Sequence, residues 1–185
     1  MWWLDPTHRL TRWLAIAALA GLTAGCYQPL YGTKTVGGGP ALESKLAGVD
    51  VPPIATPNGT PLARISVQMR NDLIYDLTGG SGTPSPTHRL VISLSTTQQQ
   101  VIVDVNTARP DIQNFGINAT FSLTDIASGK TLMSGQTFSR VSYDIPGQEQ
   151  RFAGARGLRD AENRAAKVIA DSIRTRLASY FVAGS

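Results

Sequence analysis

The spacing of apolar residues changes along the chain, and each change marks an element. Leu62, Ile65, Met69, Leu73 and Leu77 recur three or four apart, which predicts one stripe of an amphipathic helix. Thr60-Pro61 starts it, an N-cap hydroxyl followed by proline at the first helical position, and Gly79-Gly80-Ser81-Gly82 ends it. From His88 the period becomes two. Leu90, Ile92 and Leu94 alternate with Val91, Ser93 and Ser95, and Val101 to Val105 resume the pattern after Gln98-Gln99-Gln100, until Pro110 interrupts it. Phe115, Ile117, Ala119, Phe121 and Leu123 then face one way, with Gly116, Asn118, Thr120, Ser122 and Thr124 opposite, the cleanest half-buried strand in the chain. Ser128-Gly129-Lys130 makes a turn, and Thr131 to Tyr143 runs back as its partner. After Ile145-Pro146-Gly147, a second helical stripe passes through Leu158, Ala161, Ala165, Val168, Ile169, Ile173, Leu177 and Tyr180. Upstream, Gly48 to Val51 alternates briefly before Pro52-Pro53 stops it, as a short edge strand does.

The order is strand, helix, three strands, helix. It predicts an α+β domain over residues 48–185: a mixed four-stranded sheet with two helices packed on one face, β-α-β-β-β-α. Two helices leave the other sheet face open. Its residues are mostly Ser, Thr, Asn and Gln, which suit either water or the wet interior of a larger barrel.

The chain before residue 48 reads differently. Arg9 and Arg12 precede a short apolar run, Trp13 to Ala20, closed by Ala24-Gly25-Cys26. A basic start, a short apolar stretch and a small-residue step predict a secretory signal peptide over residues 1–25. The run is about half of the ~20 apolar residues that a spanning helix needs. Leu22-Thr23-Ala24-Gly25-Cys26 resembles a bacterial lipoprotein box, with Thr23 where Leu, Val or Ile is usual. On that likeness Cys26 becomes the first mature residue and carries a diacylglycerol and an N-acyl chain; several chains together give lasting anchorage where one does not. Tyr27, in place of an inner-membrane-retaining Asp, points to the outer membrane. The glycines and proline of Thr33 to Lys45 predict a flexible tether, so residues 26–47 read as lipidated N-terminus and linker. That segment lacks the Gly-Lys-Ser/Thr ending of a phosphate loop.

Composition narrows the chemistry. Among 185 residues there is one Cys and there are two His, which rules out an internal disulfide and any Cys- or His-rich metal centre. The formal net charge of +4 is too small to support a surface that tracks nucleic-acid phosphates. The final helix carries the whole positive excess of residues 26–185, and reads as a solvated face with i,i+4 pairs such as Asp160 with Arg164. His88 has no second His to work with. Asp72 and Asp76 share a helix face with no acid–base partner, and Asp104, Asp111, Asp125 and Asp144 are equally unpaired. No catalytic constellation forms, and no cofactor is expected beyond the lipid on Cys26.

Four stretches together resemble the lipopolysaccharide-assembly lipoprotein family LptE. Cys26 to Gly32, CYQPLYG, looks like that family's lipidated start. Met69 to Ile74, MRNDLI, is similar to its first-helix segment. Phe121 to Asp125 with Gly129-Lys130 resembles its strand-turn-strand. Tyr143, Arg151-Phe152-Ala153 and Asp160 to Ala165 resemble the opening of its last helix. The resemblance implies a non-enzymatic protein at the outer membrane, with its domain on the periplasmic side and inside an LptD-type β-barrel. It implies a plug and assembly partner that helps deliver lipopolysaccharide to the outer leaflet. Contact with that anionic lipid would use cations at turns and strand ends. Lys130 at the hairpin tip comes first, then Arg109 before Pro110, then Arg140. The competing readings are an envelope-tethering lipoprotein with no barrel partner, a secreted ligand-binding domain with Cys26 unlipidated, and an envelope hydrolase.

Overall fold

The computed structural model describes residues 42–80, 83, 85–102, 110–145 and 151–183. The elements are α1 (Leu42–Ala47), β1 (Val49–Asp50), α2 (Pro61–Thr78), β2 (His88–Ile102), β3 (Pro110–Asp125), β4 (Thr131–Asp144) and α3 (Arg151–Ala183). The strands form one mixed sheet in the order β1-β2-β3-β4. β1 runs parallel to β2, and the two following pairs are antiparallel. This is the expected α+β architecture.

Local chemistry sets the ends of α2 where the sequence places them. Thr60 is extended, and its hydroxyl accepts the Ala63 N–H at 3.2 Å. At the other end Gly79 takes φ 67°, and its N–H reaches the Tyr75 carbonyl at 2.8 Å. Ile65, Met69, Leu73 and Leu77 are buried with Ser66, while Val67 and Tyr75 face outward.

The core lies between the sheet and the two long helices. Leu90 and Ile92 of β2, with Phe115, Ile117, Ala119, Phe121 and Leu123 of β3, meet α3 and α2. On α3 the buried side is rich in alanine: Ala161, Ala165, Ala166, Ala170 and Ala178 stand among Ile169, Ile173 and Leu177. Small side chains let the helix come close to its neighbours.

The structure departs from the sequence pattern in four places. Leu42–Ala47, read as the end of a tether, is a helix. Leu42 and Leu46 are buried in the core, and the Lys45 ammonium donates to the Phe181 carbonyl at 3.1 Å. A cation there satisfies a carbonyl that the end of α3 leaves without an intrahelical partner. The predicted leader, Cys26 and the rest of the tether lie outside the described residues.

Second, β2 runs unbroken through Gln98-Gln99-Gln100, because each glutamine pairs with β3. Pro110 opens β3, where its missing N–H costs no inner ladder bond, and the register shifts beside it between Val101 and Ile102. Third, Val168 is 51% exposed: the buried side of α3 includes Ala166 and Ala170 instead. Fourth, Glu162 is not a solvated helix charge. It is buried and forms an ion pair with Arg64 of α2, tying the two helices together, while Arg164 and Asp160 make the expected surface pair at 2.7 Å.

Candidate functional site

The carboxylates and the histidine do not converge. Asp125 belongs to the β3–β4 turn, where its carboxylate accepts the Ser128 hydroxyl and N–H, both at 2.7 Å. Those bonds, the hydroxyl first, hold its pKa below the usual carboxylate value. Asp144 is exposed at the end of β4, and Asp104 lies outside the described residues. His88 is half-buried, edge-on to Phe181 with ring centres 5.2 Å apart, and its Nδ1 lies 2.8 Å from the Thr87 hydroxyl. Among the described residues no three His, Cys, Asp or Glu side chains could hold a metal together. A 440 Å³ cavity between α1, α2 and α3 is lined by Glu43, Tyr75, Asp76 and Arg174, a mixed-charge lining with no nucleophile beside a base.

The feature that remains is the broad face of the sheet turned away from the helices. Strand register arranges it in rows across β2, β3 and β4: Val91, Ser122, Ser134; Ser93, Thr120, Gln136; Ser95, Asn118, Phe138; Thr97, Gly116, Arg140. In these rows Arg140 is the only charged residue. Gly116 fits because Thr97 leans across it: a Cβ there would stand 2.6 Å from the Thr97 hydroxyl. The middle of the face is thus polar and carries one charge, with Arg89 and Asp144 at its ends.

The three cations picked out in the sequence do not form one patch. Lys130 sits exposed at the tip of the β3–β4 turn, beside Gly129 at φ 67°. Arg140 is exposed on the open face of β4, ten strand residues away, which is roughly 30 Å at the usual rise. Neither makes an ion pair with another described residue. Arg109 lies outside the described residues.

Sequence reasoning overlooked Phe138. It is 74% exposed on the open face, two positions from Arg140, in the middle of the polar rows. Burial of Tyr143, with Val141 half-buried, fixes the phase of β4 and turns Phe138 outward, so the signal was the phase rather than the hydrophobicity.

A family model described as LptE, lipopolysaccharide-assembly, matches residues 46–177. Among solved structures, a protein of Caulobacter crescentus described as a lipoprotein is similar with a TM-score of 0.61 at 21% identity. The match covers 78% of this chain and 97% of that one. The rare lipoprotein B of Shewanella oneidensis is similar with a TM-score of 0.52 at 14% identity, covering 72% of this chain and 96% of that one. At these identities the likeness is one of fold. No curated protein matches the sequence.

Proposed function

The chain belongs to the LptE family of lipopolysaccharide-assembly proteins, and on that premise we propose that it is an outer-membrane lipoprotein that plugs an LptD-type β-barrel. In this role it assists assembly of the barrel and helps deliver lipopolysaccharide to the outer leaflet. The family is non-enzymatic, so the work is binding and positioning. Lipid on Cys26 anchors the chain, and the domain lies on the periplasmic side and within the barrel.

The observation that carries the proposal is the open face of the sheet. A soluble domain ordinarily solvates such a face with charge; the middle of this one offers hydroxyls and amides across three strands with Arg140 as the one charge in those rows, and Arg89 and Asp144 stand at its two ends. The lumen of a membrane barrel is lined by polar side chains. A surface of short donors and acceptors pairs with such a lining directly or through bridging waters. Phe138 adds one apolar anchor at its centre. Lys130, at the hairpin tip, Arg109 and Arg140 are the cations proposed for lipopolysaccharide phosphates.

The test is a tagged pull-down from detergent-solubilised outer membranes, with bound proteins identified by mass spectrometry. A stoichiometric large β-barrel is the expected result. Recovery of the chain alone, or with cell-wall components only, returns it to an envelope-tethering role. Lys130→Glu separates the cation assignment from the plug: unchanged lipopolysaccharide binding removes Lys130 from it and leaves Arg140→Glu to be measured.

A further inference from the structure

The 440 Å³ cavity between α1, α2 and α3 lies on the helix side of the domain, away from the open sheet face, and has the size of a small-ligand site. Leu46 of α1 and Leu77 of α2, both buried, give it an apolar floor, while Glu43 and Tyr75 stand exposed at its rim. Asp76 is half-buried beside them, and Arg174 lines the cavity from α3. Two of these charges are negative and one is positive. Neither Glu43 nor Asp76 forms an ion pair with another described residue. The end of α2 adds to the negative side. Its last turn, through the cap at Gly79, forms one wall of the cavity. That turn holds Asp76 and no basic residue, where a helix ordinarily sets a cation against the carbonyl end of its dipole.

We propose that this cavity binds a small zwitterion of the phosphoethanolamine class, its primary ammonium against Glu43 and Asp76 and its phosphodiester against Arg174. Charge decides among the ligand classes. A plain anion gains one guanidinium but meets two carboxylates and the negative end of α2. A plain cation gains the carboxylates but meets Arg174. An uncharged apolar molecule takes water from all three charges and returns nothing. A molecule that carries both signs a few bonds apart lets each charge find its opposite. The three N–H groups of an ammonium can be shared between the two carboxylates and a carbonyl at the helix end. Tyr75, 69% exposed, adds an aromatic ring at the rim, to which an ammonium is also drawn. Leu46, Leu77 and Ala47 leave an apolar wall for the methylenes between the two charged ends. The site lies among the helices, so it goes beyond the barrel reading, which uses the opposite face of the sheet, and does not rest on it.

Saturation-transfer NMR on the full-length protein in detergent, titrated with glycerophosphoethanolamine, tests the assignment. Saturable binding is expected, with glycerophosphate and ethanolamine each weaker by about tenfold, the loss of one charge-assisted contact. Glycine, which carries both charges but sets them on neighbouring carbons, is expected to bind more weakly as well. Asp76→Asn and Arg174→Gln should each weaken glycerophosphoethanolamine by about tenfold, and Glu43→Gln, at the exposed rim, by less, with circular dichroism unchanged. Dihexanoyl-phosphatidylethanolamine, kept below its micelle concentration, separates two sources of the same chemistry. Its displacement of glycerophosphoethanolamine assigns the cavity to a lipid head, and its exclusion assigns it to the free phosphodiester. The proposal is overturned by the absence of saturable binding, or by glycerophosphate, ethanolamine or glycine binding as well as glycerophosphoethanolamine. Wild-type affinity in folded Asp76→Asn overturns it too.

Discussion

β3 and β4 lie side by side under the same helices, yet the middle of β4 departs from the chemistry of β3. The inward side of β3 is Phe115, Ile117, Ala119, Phe121 and Leu123, all buried, and its outward side is polar. On β4 Met133, Val141 and Tyr143 face inward towards the ends, but the middle of that side is Gly135, Thr137 and Ser139, while Phe138 points out at 74% exposure. Proximity explains the small inward residues in the middle of β4. The Phe121 ring reaches over its neighbour so closely that a Cβ on Gly135 would meet it at 2.7 Å. The Arg176 guanidinium lies 6.0 Å from the same ring. α3 approaches β4 so nearly that Thr137 shares a hydrogen bond with Ser172 of the helix at 3.0 Å. One strand fills the layer and the next makes room for it. Burial is therefore decided between neighbouring strands, and hydrophobicity along one strand reports it only when that strand does the filling.

Several measurements break or sharpen this contrast. Phe121→Ala empties space shared by both strands and is expected to cost about 3–5 kcal/mol, read by denaturant unfolding. A valine at Gly135 is overpacked against that ring, and Gly135→Val should cost about 1–3 kcal/mol; the double variant Phe121→Ala/Gly135→Val should recover part of the sum, since the two side chains share one space. Additive losses would refute the close fit. Thr137→Ala removes one hydrogen bond to α3 at a cost of about 1 kcal/mol. Phe138→Ser should leave stability within about 0.5 kcal/mol and instead weaken retention of the barrel partner in the pull-down.

The turn joining the two strands adds a pH test. Ser128 depresses the Asp125 pKa in the folded state, so the folded chain binds fewer protons there than the unfolded one. That contribution is present above the unfolded carboxylate range, near pH 4, and is lost as pH falls through the lower folded value. Ser128→Ala is expected to flatten the acid limb of stability against pH. Tyr143 behaves in the opposite sense: burial, then the Glu162 charge, raises its pKa, so its share holds below about pH 10 and is lost as pH rises through the folded value.

Much of the domain was legible because local rules governed it. The caps of α2, the period of β3, the Gly129 turn and the order of elements all follow from residues a few positions apart. The open polar face was legible too, since β3 displays it in plain alternation. Less legible were α1, whose two leucines matter only once α3 stands behind them, and Glu162, whose partner Arg64 is 98 residues away.

The sequence by itself determined the kind of protein: an α+β domain with the family's pattern spread across it. Those properties are written in composition and short-range spacing, which act before any tertiary contact forms. Only the tertiary structure decided which side of β4 is inside, that Phe138 stands beside Arg140 on the open face, and that among the described residues none pairs with the second edge of β2 beyond Arg89. Each of these depends on what a neighbouring strand or helix already occupies, and exclusion by a neighbour has no signature in the residues excluded.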